Sequence, residues 1–278
     1  MRLPQQLLFV VILGLTTSTA IADEENLDEF KAIEKIELLG GKIRRDDTLP
    51  GRPVVEVNFK ENKRFSYRYL RLLTPFSELK TLNVSATQIT DAGMLEIGRH
   101  TSLTSLYIAR TEISDAGTKE LRHLKNLTTL NLVGNKITDA GLKSIGELTN
   151  LERLHIGRSD VTEVGLKELN NLKQLRELNL ANSNLNDTCV KELSQLTSLT
   201  ILFLGRNEIT DEGLIELGNL KNLLLLEYVP NKTTSTGEAT LKKSLPNLMV
   251  GSKQPIGKPI FSLKLPLESG MLDDLIRR

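Results

Sequence analysis

Few side chains in this sequence could do chemistry, and they are dispersed. Three histidines, His100, His123 and His155, and one cysteine, Cys189, are spread over 278 residues. A metal site needs two or more ligands converging with defined geometry, and none of these four has a His or Cys close by in the sequence. Five aspartates, Asp91, Asp115, Asp139, Asp187 and Asp211, recur in one column and raise the question of calcium. Each stands where a helix should open, and there an aspartate complements the positive end of the helix dipole. No G-x-S-x-G, H-E-x-x-H or phosphate-loop pattern occurs. The chain therefore reads as a protein without catalytic residues, metal or cofactor.

Two other columns suit recognition instead. One reads Asn58, Asn83, Tyr107, Asn131, His155, Asn179, Phe203 and Glu227. Its two aromatics and its histidine, Tyr107, Phe203 and His155, are candidate anchors, since aromatics are enriched where partners bind. Three residues on, Ala86, Arg110, Gly134, Arg158, Asn182 and Arg206 form a second column, with arginine at every second position. Neighbouring positions pair Glu152 with Arg176 and Arg153 with Glu177, so those charges should cancel across a sheet. The arginines Arg110, Arg158 and Arg206 are left as an uncompensated stripe, spaced by roughly 10 Å if strands lie about 4.8 Å apart.

These columns exist because the chain repeats. Leu79, Leu103, Leu127, Leu151, Leu175, Leu199 and Leu223 each open a unit, always 24 residues after the last. A fixed period in this range marks a solenoid whose units pack only on their neighbours. In the unit LTTLNLVGNKITDAGLKSIGELTN, from Leu127 to Asn150, apolar and polar residues first alternate. Leu130 and Leu132 face inward and Asn131 outward, as in a strand. Strands are expected at 79–84, 103–108, 127–132, 151–156, 175–180 and 199–204. A polar residue then turns the chain (Thr111, Asn135, Ser159, Ser183, Asn207, Asn231), followed by an apolar anchor such as Ile137. Thr138 is suited to cap a helix that opens at Asp139, and Leu142, Ile145 and Leu148 give that helix one apolar stripe. Helices of two to three turns should open near Asp91, Asp115, Asp139, Glu163, Asp187 and Asp211. Cys189 falls in the column of Gly93, Gly117, Gly141, Gly165 and Gly213 and reads as a small buried residue between units.

The pattern LxxLxLxxN followed by a T-D-A-G-L helix start resembles the leucine-rich repeat, in the short 24-residue form found in exported bacterial proteins. The resemblance runs from Val54 to about Val250. It implies an α/β solenoid, a curved right-handed coil with a parallel sheet on the concave face and short helices on the convex face. It further implies a protein-binding role, and the family shares no catalytic residues.

Outside the array, residues 1–22 read as a secretory signal peptide, with Arg2, an apolar run from Leu7 to Leu15 and an Ala20-Ile21-Ala22 cleavage site before Asp23. That run is shorter than the roughly 17–25 residues of a membrane span. The expected location is outside the cytoplasm: periplasm, cell surface or medium. One cysteine allows no internal disulfide. Asn83, Asn126, Asn186 and Asn231 fall in N-x-S/T sequons. Residues 23–53 read as an N-terminal cap, with a helix through Leu27–Leu39, a Gly40-Gly41 stop and a short strand at Lys42–Arg45. Residues 54–250 hold one degenerate and seven clear repeats. Residues 251–278, with Pro255, Pro259 and Pro266, form a tail that covers the open end or stays flexible.

A formal net charge of +1 points to no nucleic acid. The expected function is that of an exported, non-enzymatic module gripping a protein or peptide, with an acidic surface opposite the arginines. The alternative is an envelope-associated scaffold whose tail makes the contact. Eight strands give a sheet roughly 34 Å across, wide enough for a standard interface.

Overall fold

The structure is a computed structural model and describes residues 28–251. The leader assigned to 1–22, its cleavage point before Asp23 and all of the tail but Gly251 lie outside the described residues.

The described chain builds one sheet of ten strands in sequence order. They are β1 (Lys42–Arg45), β2 (Val54–Asn58), β3 (Thr81–Asn83), β4 (Ser105–Tyr107), β5 (Thr129–Asn131), β6 (Arg153–His155), β7 (Glu177–Asn179), β8 (Ile201–Phe203), β9 (Leu225–Glu227) and β10 (Met249–Val250). From β2 to β10 all pairs are parallel, in a register that sets Leu82, Leu106, Leu130, Leu154, Leu178, Leu202 and Leu226 in one row. The whole row is buried, as period-2 alternation requires.

The repeat strands are three residues long, where six were expected. The reason is local backbone geometry. Ladder bonds continue past the strand, with Val84 and Ala86 N–H donating to the Tyr107 and Ala109 carbonyls. At Ala86, Arg110, Gly134, Arg158, Asn182 and Arg206, however, φ lies between 53° and 73°. A left-handed residue turns the chain off the sheet at the same point in these six units, and Pro230 stands there in the next.

The helices open where the sequence predicts: α1 (Glu29–Leu38), then α2 (Asp91–Ile97), α3 (Asp115–Thr118), α4 (Asp139–Ile145), α5 (Glu163–Leu166), α6 (Asp187–Leu193), α7 (Asp211–Glu216) and α8 (Ser235–Ser244). Their lengths alternate. α3, α5 and α7 give way to 3-10 turns at Lys119–His123, Lys167–Asn171 and Leu217–Asn219, so in those units the convex segment is not the uniform two-to-three-turn helix expected.

Each helix start also locks onto the next repeat. The Asp115 carboxylate accepts from Thr138 N–H at 2.9 Å and from Thr138 Oγ at 2.6 Å. Asp91, Asp139, Asp187 and Asp211 do the same to Ser114, Thr162, Thr210 and Thr234. The aspartate column is a set of inter-repeat clips, which accounts for it without calcium. It also explains the glycine column. A Cβ at Gly117, Gly141, Gly165, Gly213 or Gly237 would lie 2.2–2.4 Å from the Oδ1 of the clipping aspartate. The one departure is self-consistent. Where Glu163 replaces aspartate, its carboxylate makes no clip among the described residues, Asn186 caps its own helix by accepting from Cys189 N–H, and Cys189 takes the glycine position. Cys189 is buried, and burial pushes its thiol pKa up.

The first unit is closed by α1 and by β1, which pairs antiparallel with β2. α1 ends in a Schellman turn: Gly40 takes φ 83°, and the Gly40 and Gly41 N–H groups donate to the Glu37 and Ile36 carbonyls. A Cβ at Gly41 would meet the Phe59 ring at 2.4 Å, and Phe59 itself stacks on Phe65 at 3.8 Å between ring centres. In this degenerate unit a 3-10 helix at Tyr67–Leu73 takes the place of the T-D-A-G helix.

Candidate functional site

Most polar residues near the sheet hold the backbone. Asn135 Nδ2 donates to the Ile108 and Leu132 carbonyls, and its Oδ1 accepts from Ile113 N–H. Asn207 repeats this arrangement, and Asn231 Nδ2 donates to the Leu204 and Tyr228 carbonyls. At the rim where the strands begin, a shallow groove of about 470 Å³ is lined by Ser102, Thr104, Asn126, Thr128, Asn150 and Glu152, among others. Its side chains too are engaged. Asn126 and Asn150 Nδ2 donate to the Thr101 and Lys125 carbonyls, and Thr104 and Thr128 Oγ donate to the Lys80 and Thr104 carbonyls. Glu152 is the one charged side chain lining it.

The central outward column divides into two kinds of repeat. Asn83, Asn131 and Asn179 each accept, through Oδ1, the N–H two residues on, from Ser85, Val133 and Ala181. They close the strand end. Between them stand Tyr107, His155 and Phe203, all half-buried and all in one row through the sheet register. The same repeats carry Arg110, Arg158 and Arg206 at the left-handed position, whereas the asparagine repeats hold Ala86, Gly134 and Asn182 there. The three arginines are exposed and make no ion pair among the described residues. The Arg110 stem lies over Gly134, where a Cβ would come within 3.4 Å of its Cγ. A left-handed backbone costs a residue with a Cβ roughly 1–2 kcal/mol. Gly134 and Asn182 avoid most of that, whereas Ala86 in the same set and the three arginines in the other incur it.

The expected cancellation of Arg153 by Glu177 does not occur. The two are register partners, yet Glu177 turns diagonally and its Oε1 lies 2.7 Å from His155 Nε2. Arg153 instead donates from Nε to Thr129 Oγ at 3.1 Å. Glu177 is only 5 % exposed, and the imidazole N–H supplies its buried carboxylate with a hydrogen bond. His155 is thereby fixed in orientation. No ion pair joins Glu152 and Arg176 among the described residues. His100 is half-buried, with its pKa lowered by burial against a raising influence from Glu96, and His123 is exposed.

Glu227 ends the row beside Phe203. Burial pushes its carboxyl pKa up, against the Gly205 N–H at 3.3 Å and the Arg206 charge. Acids also stand two residues beyond each arginine: Glu112, Asp160 and Glu208, the last paired with Lys232. That column was readable from the 24-residue spacing. Among the described residues no group of three His, Cys, Asp or Glu side chains could hold a metal ion. No described helix is long and apolar enough to cross a membrane.

A parallel sheet built from one strand per 24-residue unit, with short helical segments between the strands, is a repeat solenoid. The family comparison agrees: residues 63–256, well over half the chain, match the model of the leucine-rich repeat region, and the chain belongs to that family. Its fold is usually non-catalytic. No curated protein matches. Among solved structures, a leucine-rich repeat protein of Leptospira interrogans is 29 % identical with a TM-score of 0.53, over 66 % of this chain and 45 % of that one. An internalin of Listeria monocytogenes is 24 % identical, TM-score 0.50, over 66 % and 57 %. The ectodomain of the Arabidopsis thaliana receptor kinase GASSHO1/SCHENGEN3, solved with CASPARIAN STRIP INTEGRITY FACTOR 2, is 19 % identical, TM-score 0.51, over 76 % and 25 %. The chain thus matches a quarter to somewhat over half of the length of these structures, and at the lower identities the likeness is one of fold.

Proposed function

We propose that this chain is an exported binding module that takes a protein or peptide on its concave face through Tyr107, His155 and Phe203 and the rim arginines Arg110, Arg158 and Arg206. The observation that carries the reading is the alternation of repeats. In one set of repeats an asparagine in the central column closes the strand end, and every second repeat has a ring there instead and carries an exposed arginine at the left-handed turn. The receptor ectodomain of similar fold was solved in complex with CASPARIAN STRIP INTEGRITY FACTOR 2, which fits a recognition role for this architecture. Export rests on the leader sequence, and N-terminal sequencing of protein recovered outside the cytoplasm should read from Asp23.

The test is capture of a partner from envelope and medium, followed by variants. Phe203→Ala or Tyr107→Ala should speed dissociation, as loss of an anchor does. Neutralising the three arginines should slow association and flatten its salt dependence. If both variants bind as the parent does while removal of 252–278 abolishes binding, the tail makes the contact and the concave-face reading fails.

A further inference from the structure

The two kinds of repeat set a spacing, and the spacing selects a ligand. Ring and arginine recur together on β4, β6 and β8, with β5 and β7 between them. Two strand spacings amount to about 9.6 Å. An extended peptide lying across the strands would cover this distance in three residues. In a β-strand, residues i and i+3 point to opposite faces, so a β-conformer could not offer like side chains to successive arginines. Polyproline II has three residues per turn and a rise of about 3.1 Å, so its i, i+3 and i+6 side chains align at about 9.3 Å. That match is the basis of the proposal.

We infer that the concave face reads a proline-rich acidic segment in the polyproline II conformation, with a carboxylate at every third residue. The inference rests on the concave-face reading given above. Arg110, Arg158 and Arg206 each fork to one carboxylate, and guanidinium is suited to that pairing. The rings of Tyr107 and Phe203 pack the prolines between the acids, since flat aromatic surfaces accept a preformed polyproline helix without ordering it. His155, its ring held by Glu177, provides the central platform. The intervening asparagines are tied to their own backbone, and Gly134 lies flush. Contact therefore falls on alternate strands only. Three units span i to i+6, a seven-residue core.

The experiment is fluorescence anisotropy with the full chain and labelled synthetic peptides. The probe is four Glu-Pro-Pro triplets. Its controls are a permuted peptide of the same composition with the glutamates clustered, and a Gln-Pro-Pro peptide. The triplet peptide should bind at least about tenfold more tightly than the permuted one at matched charge, and more weakly as salt rises. The triple variant R110N/R158N/R206N should lose that preference. Asparagine removes the charge at positions where Asn182 shows it to be accommodated, and circular dichroism should confirm the fold. If triplet and permuted peptides bind alike, or the triple variant retains the preference, the spacing argument is wrong. Equal binding of both peptides that is still lost in F203A leaves the concave face standing as a general acidic-ligand surface and overturns only the pitch. No peptide binding, together with a captured partner unaffected by F203A and by the triple variant, overturns both.

Discussion

The inter-repeat clip makes a quantitative demand on Gly141. An alanine Cβ there would lie 2.4 Å from Asp115 Oδ1 and 2.9 Å from Ile137 Cγ2. The backbone of α4 is packed against α3 and cannot yield freely, so the carboxylate must move. It then gives up its bonds to Thr138 N–H and Oγ. Hydrogen bonds to a charged group contribute about 1.5–3 kcal/mol each when buried. Thr138 is exposed and water can replace it, so about 1 kcal/mol each is the appropriate figure. Crowding against Ile137 adds about 1 kcal/mol or more. The helix gains nearly 1 kcal/mol from alanine over glycine. The net expectation is a loss of about 2 kcal/mol for Gly141→Ala, read from the midpoint of urea unfolding at unchanged slope. Replacing Asp115 by alanine first removes the obstruction, so Gly141→Ala should then be nearly neutral. Cys189→Ala should be mild in either case, because Glu163 makes no clip there. A cost for Gly141→Ala below about 0.5 kcal/mol, or one unchanged in the Asp115→Ala background, would refute the clip as the reason for the glycine column.

Leu154→Ala removes a fully buried side chain from the middle of the sheet row and should cost about 2–5 kcal/mol by the same assay. The triple arginine-to-asparagine variant should gain about 2 kcal/mol, since it relieves left-handed strain at three sites far enough apart to add; a less stable variant would mean the arginines support the fold. Asp211 is held below the usual carboxylate range by the Thr234 hydroxyl and N–H, and Glu238 by Lys242 and then Tyr228. Both shifts are downward, so their stabilisation is present above the ordinary carboxylate pKa and is lost as pH falls through the depressed values. Hydrogen exchange should show α8 loosening before the central units on acidification; simultaneous loss would count against these contacts.

Much of the architecture was legible because each repeat solves the same packing problem. Spacing of 24 residues, period-2 leucines and T-D-A-G starts foretold the strand row and the helix starts from Asp91 to Asp211. Strand ends were less legible. Apolar residues stand at 79, 82 and 84, but Leu79 N–H still belongs to the preceding turn, donating to the Phe76 carbonyl, and the left-handed φ at Ala86 and its equivalents then turns the chain away, a conformation that neither alanine nor arginine announces. Tyr107, His155, Phe203 and the three arginines were found from their columns, and the structure sets them on alternate strands of one face.

Sequence by itself determined which residues share a row, because a solenoid converts separation in the chain directly into position in space. Tertiary structure decided what each row does. Asp115 reads as a dipole partner from its helix alone, but its bonds go to Thr138, 23 residues away. Gly141 reads as a small residue between units, but the reason for it is a carboxylate of the preceding unit. Glu177 has Arg153 beside it in register and bonds His155 instead. In each case the deciding contact joins different repeats through directional hydrogen bonds. Hydrophobic periodicity identifies a face, whereas a hydrogen bond depends on distances of tenths of an ångström that only the folded stack supplies.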